Sequence, residues 1–280
     1  MSEDIRAEAA QYYDANPTIP DDIAFYKIRL PSADASVLEL GCGTGRVLLP
    51  LAGSCGYIHG IDQSQAMLAR CLQKLRATAI PPTKAWAELG DITAFALDRT
   101  FDLVIAPYRV FQLLATDGQV DGLFRCIRAH LAPGGTCILN VFHPQGGFER
   151  VQQEWGTTTE VFRWEVTVDG VRLRCDERWL RLDSERHIMY PELVYRRYVG
   201  GVWVEDALLH IPRRCYAPDE FAQVILDHDF RIIQRWGGYA GERYGEGPEL
   251  VAQFSGPCHQ KERDTCRTPP AAARRGTPML

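Results

Sequence analysis

The sequence has no long hydrophobic run and no excess of basic residues. None of its 280 residues belong to a stretch of the roughly 20 apolar residues that a membrane-spanning helix requires, and its first ten residues are acidic and polar. The formal net charge of −5 argues against a nucleic-acid partner, because such a partner is normally bound by a basic patch. We therefore expect a soluble, cytoplasmic protein without membrane or nucleic-acid contacts.

Paired cysteines at metal-binding spacing are also absent. The nine cysteines stand singly, without a Cys-x-x-Cys pair or a Cys/His cluster. An odd number of thiols without a secretion signal is typical of a reducing compartment. We expect neither a metal site nor a disulfide framework.

The first half of the chain alternates short apolar runs with amphipathic segments. This alternation predicts right-handed βαβ crossovers and the first five strands of a Rossmann-like, doubly wound, mostly parallel seven-stranded sheet. The runs predicted as strands are 36–40, 57–62, 86–92, 101–106 and 136–142, and the segments predicted as helices are 22–30, 46–53, 63–76 and 117–131.

The pattern changes to period two after Glu160. Phe162, Trp164 and Val166 alternate with polar residues, and Asp169-Gly170 then predicts a hairpin turn. We expect an antiparallel β insertion of three or four strands after the fifth strand of the core. A helix from Pro218 to about Asp227 and two closing strands follow it.

The same patterns divide the chain into five segments. They are an N-terminal helical segment (1–34), an α/β core (35–145), the antiparallel insertion (146–215), a closing helix with the last two core strands (216–255) and a disordered, Pro- and Arg-rich tail (256–280).

The most informative motif is VLELGCGTGR, residues 37–46, which joins a strand to a helix through Gly41, Gly43 and Gly45. A dinucleotide-binding loop has the spacing G-x-G-x-x-G, whereas here the third glycine comes one residue earlier and a bulky Arg46 follows it. The Lys-Ser/Thr ending of a P-loop is missing as well. The loop therefore argues against a nicotinamide oxidoreductase and a P-loop nucleotidase.

This motif resembles the E-x-G-x-G-x-G motif of the class I S-adenosylmethionine-dependent methyltransferases. Asp62, at the end of the second strand, resembles the family's acid that binds the ribose hydroxyls, and Asp91 resembles its acid near the adenine amine. LAPGGTCIL, residues 131–139, resembles the turn before the family's fifth strand. The resemblance covers residues 35–145 well and implies S-adenosylmethionine as the cofactor. It also implies that residues 1–34 form a lid over the cofactor and that the insertion, 146–215, lies over the acceptor site.

The resemblance also implies a set of cofactor-binding residues. Some have a structural alternative: Asp91 could bond its own turn, Met67 and Ile92 could be core residues, and Arg29 could be a solvated helix residue. The implied set is Tyr13, Arg29, Glu39, Gly41, Gly43, Asp62, Gln63, Met67, Asp91, Ile92 and Pro107.

Three residues are candidates on the acceptor side. His143, after the fifth strand, is a candidate general base or acceptor-orienting donor, or else it bonds a loop carbonyl. Arg109 is a candidate ligand for an acceptor carboxylate or phosphate, and Tyr108 is a candidate pocket wall; a surface salt bridge and core packing are their alternatives. No metal is expected, since the sulfonium already activates the methyl group.

The sequence thus predicts an enzyme that transfers a methyl group to N or O of a small molecule by in-line displacement. A tRNA or protein methyltransferase is the alternative within enzymes, and a non-catalytic S-adenosylmethionine-binding sensor is the alternative outside them. The chain is expected to be a monomer or a homodimer, since nothing clearly protects the edge of the inserted sheet.

Overall fold

The computed structural model describes residues 4–256 of the chain. Its helices are α1 (Ala10–Tyr13), α2 (Ile23–Lys27), α3 (Leu48–Ala52), α4 (Gln65–Ala77), α5 (Asp117–His130), α6 (Gly147–Glu154) and α7 (Pro218–Asp227), with a 3-10 helix at Val110–Leu113. Its strands are β1 (Ser36–Leu40), β2 (Tyr57–Asp62), β3 (Ala85–Leu89), β4 (Phe101–Ala106), β5 (Leu131–Phe142), β6 (Thr157–Val168), β7 (Val171–Asp183), β8 (Ile188–Val199), β9 (Val202–His210), β10 (Arg213–Arg214), β11 (Arg231–Trp236) and β12 (Glu249–Ser255).

The larger sheet has seven strands in the order β11-β12-β5-β4-β1-β2-β3. Strand β1 pairs in parallel with β2 and β4, and β12 runs antiparallel to both β5 and β11. Alternate residues of the central strands enter different apolar clusters: Leu38 and Val104 belong to one, and Val37 and Leu103 belong to the other. Both faces of the sheet are therefore buried, and the predicted mostly parallel, Rossmann-like sheet is confirmed.

The order of the strands places a crevice at the carboxyl end of β1. Strand β2 lies on one side of β1, whereas β4 and β5 lie on the other. Loops that leave neighbouring strands in opposite directions open a crevice at such a switch point. The loops that follow β1 and β4 carry the glycine motif and residues 107–109, so both motifs face this crevice.

The second sheet is antiparallel and contains β6 to β10. Asp169 (φ 50°) and Gly170 (φ 77°) join β6 to β7, and both have the positive φ that a two-residue type I′ turn requires. Tyr195 of this sheet stacks on Tyr12 of α1, with ring centroids 5.1 Å apart and 5° between the ring planes. The predicted insertion is confirmed as four long strands with a fifth of two residues, and it packs against the N-terminal segment.

Three local predictions need correction. The helix predicted over 22–30 spans only Ile23–Lys27, and the chain continues to Leu30 as tighter turns, in which Arg29 N donates to Tyr26 O and Leu30 N donates to Lys27 O. Helix α6 was not predicted, since its glycine-flanked start resembles a loop and only Phe148 and Val151 show helical spacing. Strand β5 begins five residues earlier than predicted and includes the turn residues 133–135.

Several expectations concern residues beyond 256. The tail predicted to be disordered lies outside the described residues from position 257 onward, as do Cys258 and Cys266. The other seven cysteines are free and buried. Within residues 4–256, no helix has the length and apolar character needed to cross a membrane. The same part of the chain holds no group of three or more His, Cys, Asp or Glu that could hold a metal ion.

Candidate cofactor and methyl-transfer site

The loop after β1 depends on its glycines for its shape. Gly41, Gly43 and Gly45 have φ values of 70°, 55° and 80°, which residues with a Cβ rarely adopt. A Cβ added to Gly45 would lie 2.3 Å from Leu49 Cδ1 and 2.7 Å from Cys71 Sγ. The glycines therefore let the loop turn tightly against α3 and α4 and present backbone to the crevice.

Asp62 links this loop to the end of β2. Its Oδ2 accepts a hydrogen bond from Gly43 N at 2.7 Å, and its Oδ1 accepts one from Ser64 N at 2.8 Å. Burial raises the pKa of this carboxyl above its usual value, against the opposing effect of the two backbone donors. Because two carboxylate oxygens offer about four acceptor positions, Asp62 can hold the loop and still accept from two vicinal hydroxyls.

Glu39, at the end of β1, is a buried acid with unused hydrogen-bonding capacity. It is 2% exposed, and its Oε2 is buried without a hydrogen-bond partner. Burial raises its pKa well above the usual value, although the charge of Arg46 opposes this shift. The Arg46 guanidinium itself donates to both carboxylate oxygens of Asp22, at 2.5 and 2.9 Å. Glu39 is therefore suited to a ligand that supplies N–H donors and positive charge.

The residues predicted to contact adenine differ in how deeply they are buried. Met67 is buried, and its Cε would lie 3.3 Å from a Cβ on Gly43, whereas Gln63 is exposed. Ile92 is half-buried against the core. Asp91 is exposed, and its Oδ1 accepts from both Thr93 N and Thr93 Oγ1, at 2.8 and 2.7 Å, as in a local turn. Their contacts with adenine remain predictions.

The N-terminal segment reaches over the glycine loop. Asp14 Oδ1 accepts from Thr44 Oγ1 at 2.5 Å and from Lys74 Nζ at 2.8 Å. The Tyr13 ring makes an edge contact with Tyr108, with centroids 6.2 Å apart, and burial raises the pKa of Tyr13 to about 12. The segment is therefore fastened to the loop on one side and contacts the turn after β4 on the other.

Arg29 lies in an aromatic environment. Its guanidinium carbon is 3.4 Å from the Phe25 ring centroid and 4.1 Å from that of Trp236, and its Nη1 donates to Phe25 O at 2.8 Å. Desolvation lowers the pKa of Arg29. The contacts of this side chain within residues 4–256 are thus aromatic and backbone ones, and its predicted pairing with the cofactor carboxylate is untested.

The turn after β4 begins at Pro107, which is buried, and has an unusual backbone. Tyr108 and Arg109 are consecutive non-glycine residues with φ values of 54° and 68°. The Arg109 guanidinium pairs with Glu249, its Nε lying 2.8 Å from Oε1. The charge of Arg109 is therefore already matched within the chain.

His143 follows β5 on the same edge of the sheet. Its backbone N donates to Pro248 O at 2.9 Å, and its side chain is half-buried. The ring Nδ1 is buried without a hydrogen-bond partner. The structure therefore leaves this nitrogen available, and its role in proton transfer remains a prediction.

Two further residues at this edge were not identified from the sequence. Asn140 of β5 is fully buried and donates through Nδ2 to Glu249 Oε2 at 2.9 Å. Glu249, the first residue of β12, is 3% exposed. A polar residue inside an apolar run was the available signal for Asn140. Glu249 has no local signal, because its partners lie 109 and 140 positions away along the chain.

The described geometry agrees with comparisons to known proteins. A family model described as a methyltransferase domain matches residues 37–135. Residues 37–135 are therefore a methyltransferase domain, and the resemblance to the class I S-adenosylmethionine-dependent methyltransferases is confirmed. The chain is accordingly a transferase, and its cofactor is S-adenosylmethionine.

Curated relatives match parts of this methyltransferase. It is 28% identical over 181 residues to the dTDP-3-amino-3,6-dideoxy-alpha-D-glucopyranose N,N-dimethyltransferase of Streptomyces fradiae. This alignment covers 62% of this chain and 68% of the relative. It is 32% identical over 130 residues to the carboxy-S-adenosyl-L-methionine synthase of Pseudomonas aeruginosa, which covers 44% of this chain. The chain spans only 52% of the latter and 48% of a cypemycin N-terminal methyltransferase of Streptomyces sp.

Solved structures match the methyltransferase over most of its length. A methyltransferase of Streptomyces caelestis aligns with a TM-score of 0.71 at 23% identity, covering 91% of this chain and 98% of that one. An amino pentose methyltransferase of Micromonospora echinaspora, solved with S-adenosylmethionine bound, aligns with a TM-score of 0.65 at 20% identity, covering 88% and 96%. At these identities the alignments show a shared fold.

The residues of the crevice fit this cofactor. S-Adenosylmethionine carries an ammonium, a sulfonium and two vicinal ribose hydroxyls. Glu39 has a buried, unpartnered oxygen suited to the positive charge, and Asp62 has acceptor capacity beyond its two backbone bonds. A Cβ at Gly43 would intrude between Met67 and Asp62. Both the acids and the glycine are therefore of the kind that the cofactor requires.

Proposed function

We propose that this methyltransferase transfers the methyl group to the amino group of a small molecule, with amino sugars as the acceptor class. The proposal is supported by the share of this chain that aligns with structures of sugar N-methyltransferases. The amino pentose methyltransferase covers 88% of the chain and a sugar N-methyltransferase of Streptoalloteichus sp covers 89%, so both alignments extend beyond residues 37–135 into the insertion. The insertion is the part that we expect to roof the acceptor.

The name of a sequence relative agrees with this acceptor class. The Streptomyces fradiae enzyme is an N,N-dimethyltransferase of a dTDP-linked amino sugar, and its alignment covers 62% of the present chain. An amine is a competent nucleophile in its neutral form, whereas an alcohol usually needs a base or a metal. An amine acceptor therefore places a smaller demand on His143, the proposed proton acceptor, than an alcohol would.

In the proposed reaction the cofactor supplies a methyl group that its sulfonium already activates. Glu39 and Asp62 hold the donor, and the Tyr13–Tyr108 pair closes the crevice against water. The amine lone pair forms the new N–C bond as the S–C bond breaks, and the nitrogen then loses one proton. We assign the acceptance of that proton to His143, whose Nδ1 is buried without a hydrogen-bond partner.

The proposal is tested with dTDP-linked amino sugars as acceptors and mass spectrometry of the products. We expect a mass gain of one or two methyl groups, together with release of S-adenosylhomocysteine. The matched control is the same nucleotide sugar with a hydroxyl in place of the amine, which should stay unmodified. Methylation of the hydroxyl analogue, or no product from any amino sugar by a protein that binds S-adenosylmethionine, would contradict an amino-sugar N-methyltransferase.

A further inference from the structure

The backbone of the turn after β4 is strained. Tyr108 and Arg109 both lie in the left-handed region, which bulky non-glycine residues rarely adopt. Such a conformation costs free energy and persists only where surrounding contacts enforce it. Two consecutive residues of this kind at the mouth of the crevice therefore require a specific support.

The support is a closed ring of hydrogen bonds among three residues from three strands or their ends. Arg109 N donates to Asn140 Oδ1 at 3.2 Å, and Asn140 Nδ2 donates to Glu249 Oε2 at 2.9 Å. The Arg109 side chain closes the ring by donating to Glu249 Oε1 through Nε at 2.8 Å and through Nη2. Both the backbone and the side chain of Arg109 are thus fixed.

The direction of each bond requires a carboxylate at position 249. Asn140 offers its oxygen to Arg109 N, so its amide nitrogen must face Glu249. Glu249 must then accept from Asn140 at one oxygen and from Arg109 at the other. A glutamine at this position would turn an N–H towards one of these donors, because an amide has a single acceptor oxygen.

Charge and burial point to a geometric role for Glu249. Burial raises the pKa of Glu249, while the charge of Arg109 and the bonds from Arg109 and Asn140 oppose the rise. A buried ion pair contributes little net stability compared with apolar packing of the same volume. The arrangement is therefore better explained by the conformation it imposes than by the stability it adds.

The residue held by this turn is Tyr108. Its ring faces Tyr13 at 6.2 Å, and the Arg46 guanidinium carbon lies 5.7 Å from the ring centroid. We propose that Glu249 is a positioning residue: through Arg109 and Asn140 it holds Tyr108 in the left-handed conformation that closes the transfer site against Tyr13. This inference rests on the proposed function, in which the Tyr13–Tyr108 pair closes the crevice against water.

The test compares Glu249→Gln with Gln253→Ala, a substitution on the same strand of a side chain that bonds only Thr136 among the described side chains. We expect Glu249→Gln to lower kcat/KM for the acceptor by about 10- to 100-fold through a misplaced wall. The dissociation constant for S-adenosylmethionine, measured by calorimetry, should change less than about 3-fold because Glu39 and Asp62 are untouched. Gln253→Ala should leave both values unchanged.

A double substitution distinguishes a positioning role of Glu249 from a general loss of stability. In a Tyr108→Ala enzyme, Glu249→Gln should cause no further loss of kcat/KM, because Glu249 acts through Tyr108. Additive losses, or an equal loss in Gln253→Ala, would overturn the proposal. If Glu249→Gln does not fold, Arg109→Lys, which keeps the charge and loses the two-nitrogen contact, takes its place with the same expectations.

A failure of the proposed function is distinguishable from a failure of this inference. It appears as an absence of amine methylation by the wild-type enzyme. A crystal structure of Glu249→Gln then decides the positioning role without any acceptor. A negative φ at Tyr108 with its ring away from Tyr13 supports the proposal, and an unchanged turn overturns it.

Discussion

At the scale of single residues, the carboxylates divide into those already neutralised and those that are not. Asp22 is paired with Arg46 and Glu249 with Arg109. Glu39 and Asp62 are buried without a salt bridge to Arg or Lys among the described residues, and burial raises the pKa of both. A desolvated acid with an unpartnered oxygen, such as Glu39, favours a cationic ligand, and we propose that it faces the cofactor's positive charge, whereas Asp62 accepts from the ribose hydroxyls.

His143 is the residue on which proton transfer depends in this account. His143→Ala should lower kcat by about 100-fold at neutral pH, because a positioned base typically contributes at least that factor. The measurement is steady-state kinetics from acidic to neutral pH with a saturating amino-sugar acceptor.

The control for this substitution is His210→Ala in the inserted sheet. His210 is a largely exposed histidine that bonds Glu192, and kcat should not change on its replacement. A His143→Ala enzyme with unchanged kcat at every pH would remove His143 from the mechanism and leave water as the proton acceptor.

At the scale of elements, the N-terminal segment connects the glycine loop to the insertion. Asp14 fastens the segment to Thr44 of the glycine loop, and Tyr12 stacks on Tyr195 of β8. The same short stretch therefore contacts both the glycine loop and the inserted sheet. If the inserted sheet roofs the acceptor as proposed, these contacts link the donor side of the site to the acceptor side.

The inserted sheet is stabilised on one face by an ionic network around Glu160. Hydrogen bonds from Arg196 and Arg178, each 2.7 Å long, lower the pKa of Glu160 to about 2 from its usual 4.5. A folded-state pKa below the unfolded one adds stability that is present above the unfolded pKa and is lost as pH falls through the folded pKa. The contribution of Glu160 is therefore complete above about pH 4.5 and disappears towards about pH 2.

Glu160→Gln should remove this titration. The free energy of unfolding in urea should fall less between about pH 5 and about pH 2 in the variant than in the wild type, because one linked proton is missing. Glu165→Gln is the matched control on the same strand, since Glu165 makes only a 3.7 Å contact with Arg172. An identical pH dependence in Glu160→Gln and the wild type would show that the network does not depend on this carboxylate.

At the scale of the whole molecule, short-range patterns predicted the architecture well. Apolar runs of strand length, the glycine motif and the Asp169-Gly170 turn each encode local geometry, and the two sheets follow from them. Helix α6 was missed because its eight residues carry too few apolar positions to show a period. The ring of Arg109, Asn140 and Glu249 was missed because only the folded topology brings β4, β5 and β12 together.

The central claim is that the crevice beside β1 binds S-adenosylmethionine through Asp62. Titration calorimetry of the purified protein with S-adenosylmethionine and S-adenosylhomocysteine, comparing the wild type with Asp62→Ala, tests it most directly. The account predicts micromolar binding by the wild type and an affinity at least about 10-fold lower in the variant, because charge-assisted hydrogen bonds are lost. Asp102→Asn, which alters an acid that accepts from Ser36 at the start of β1, should bind normally. No binding by the folded wild type, or equal binding by Asp62→Ala, would contradict the account.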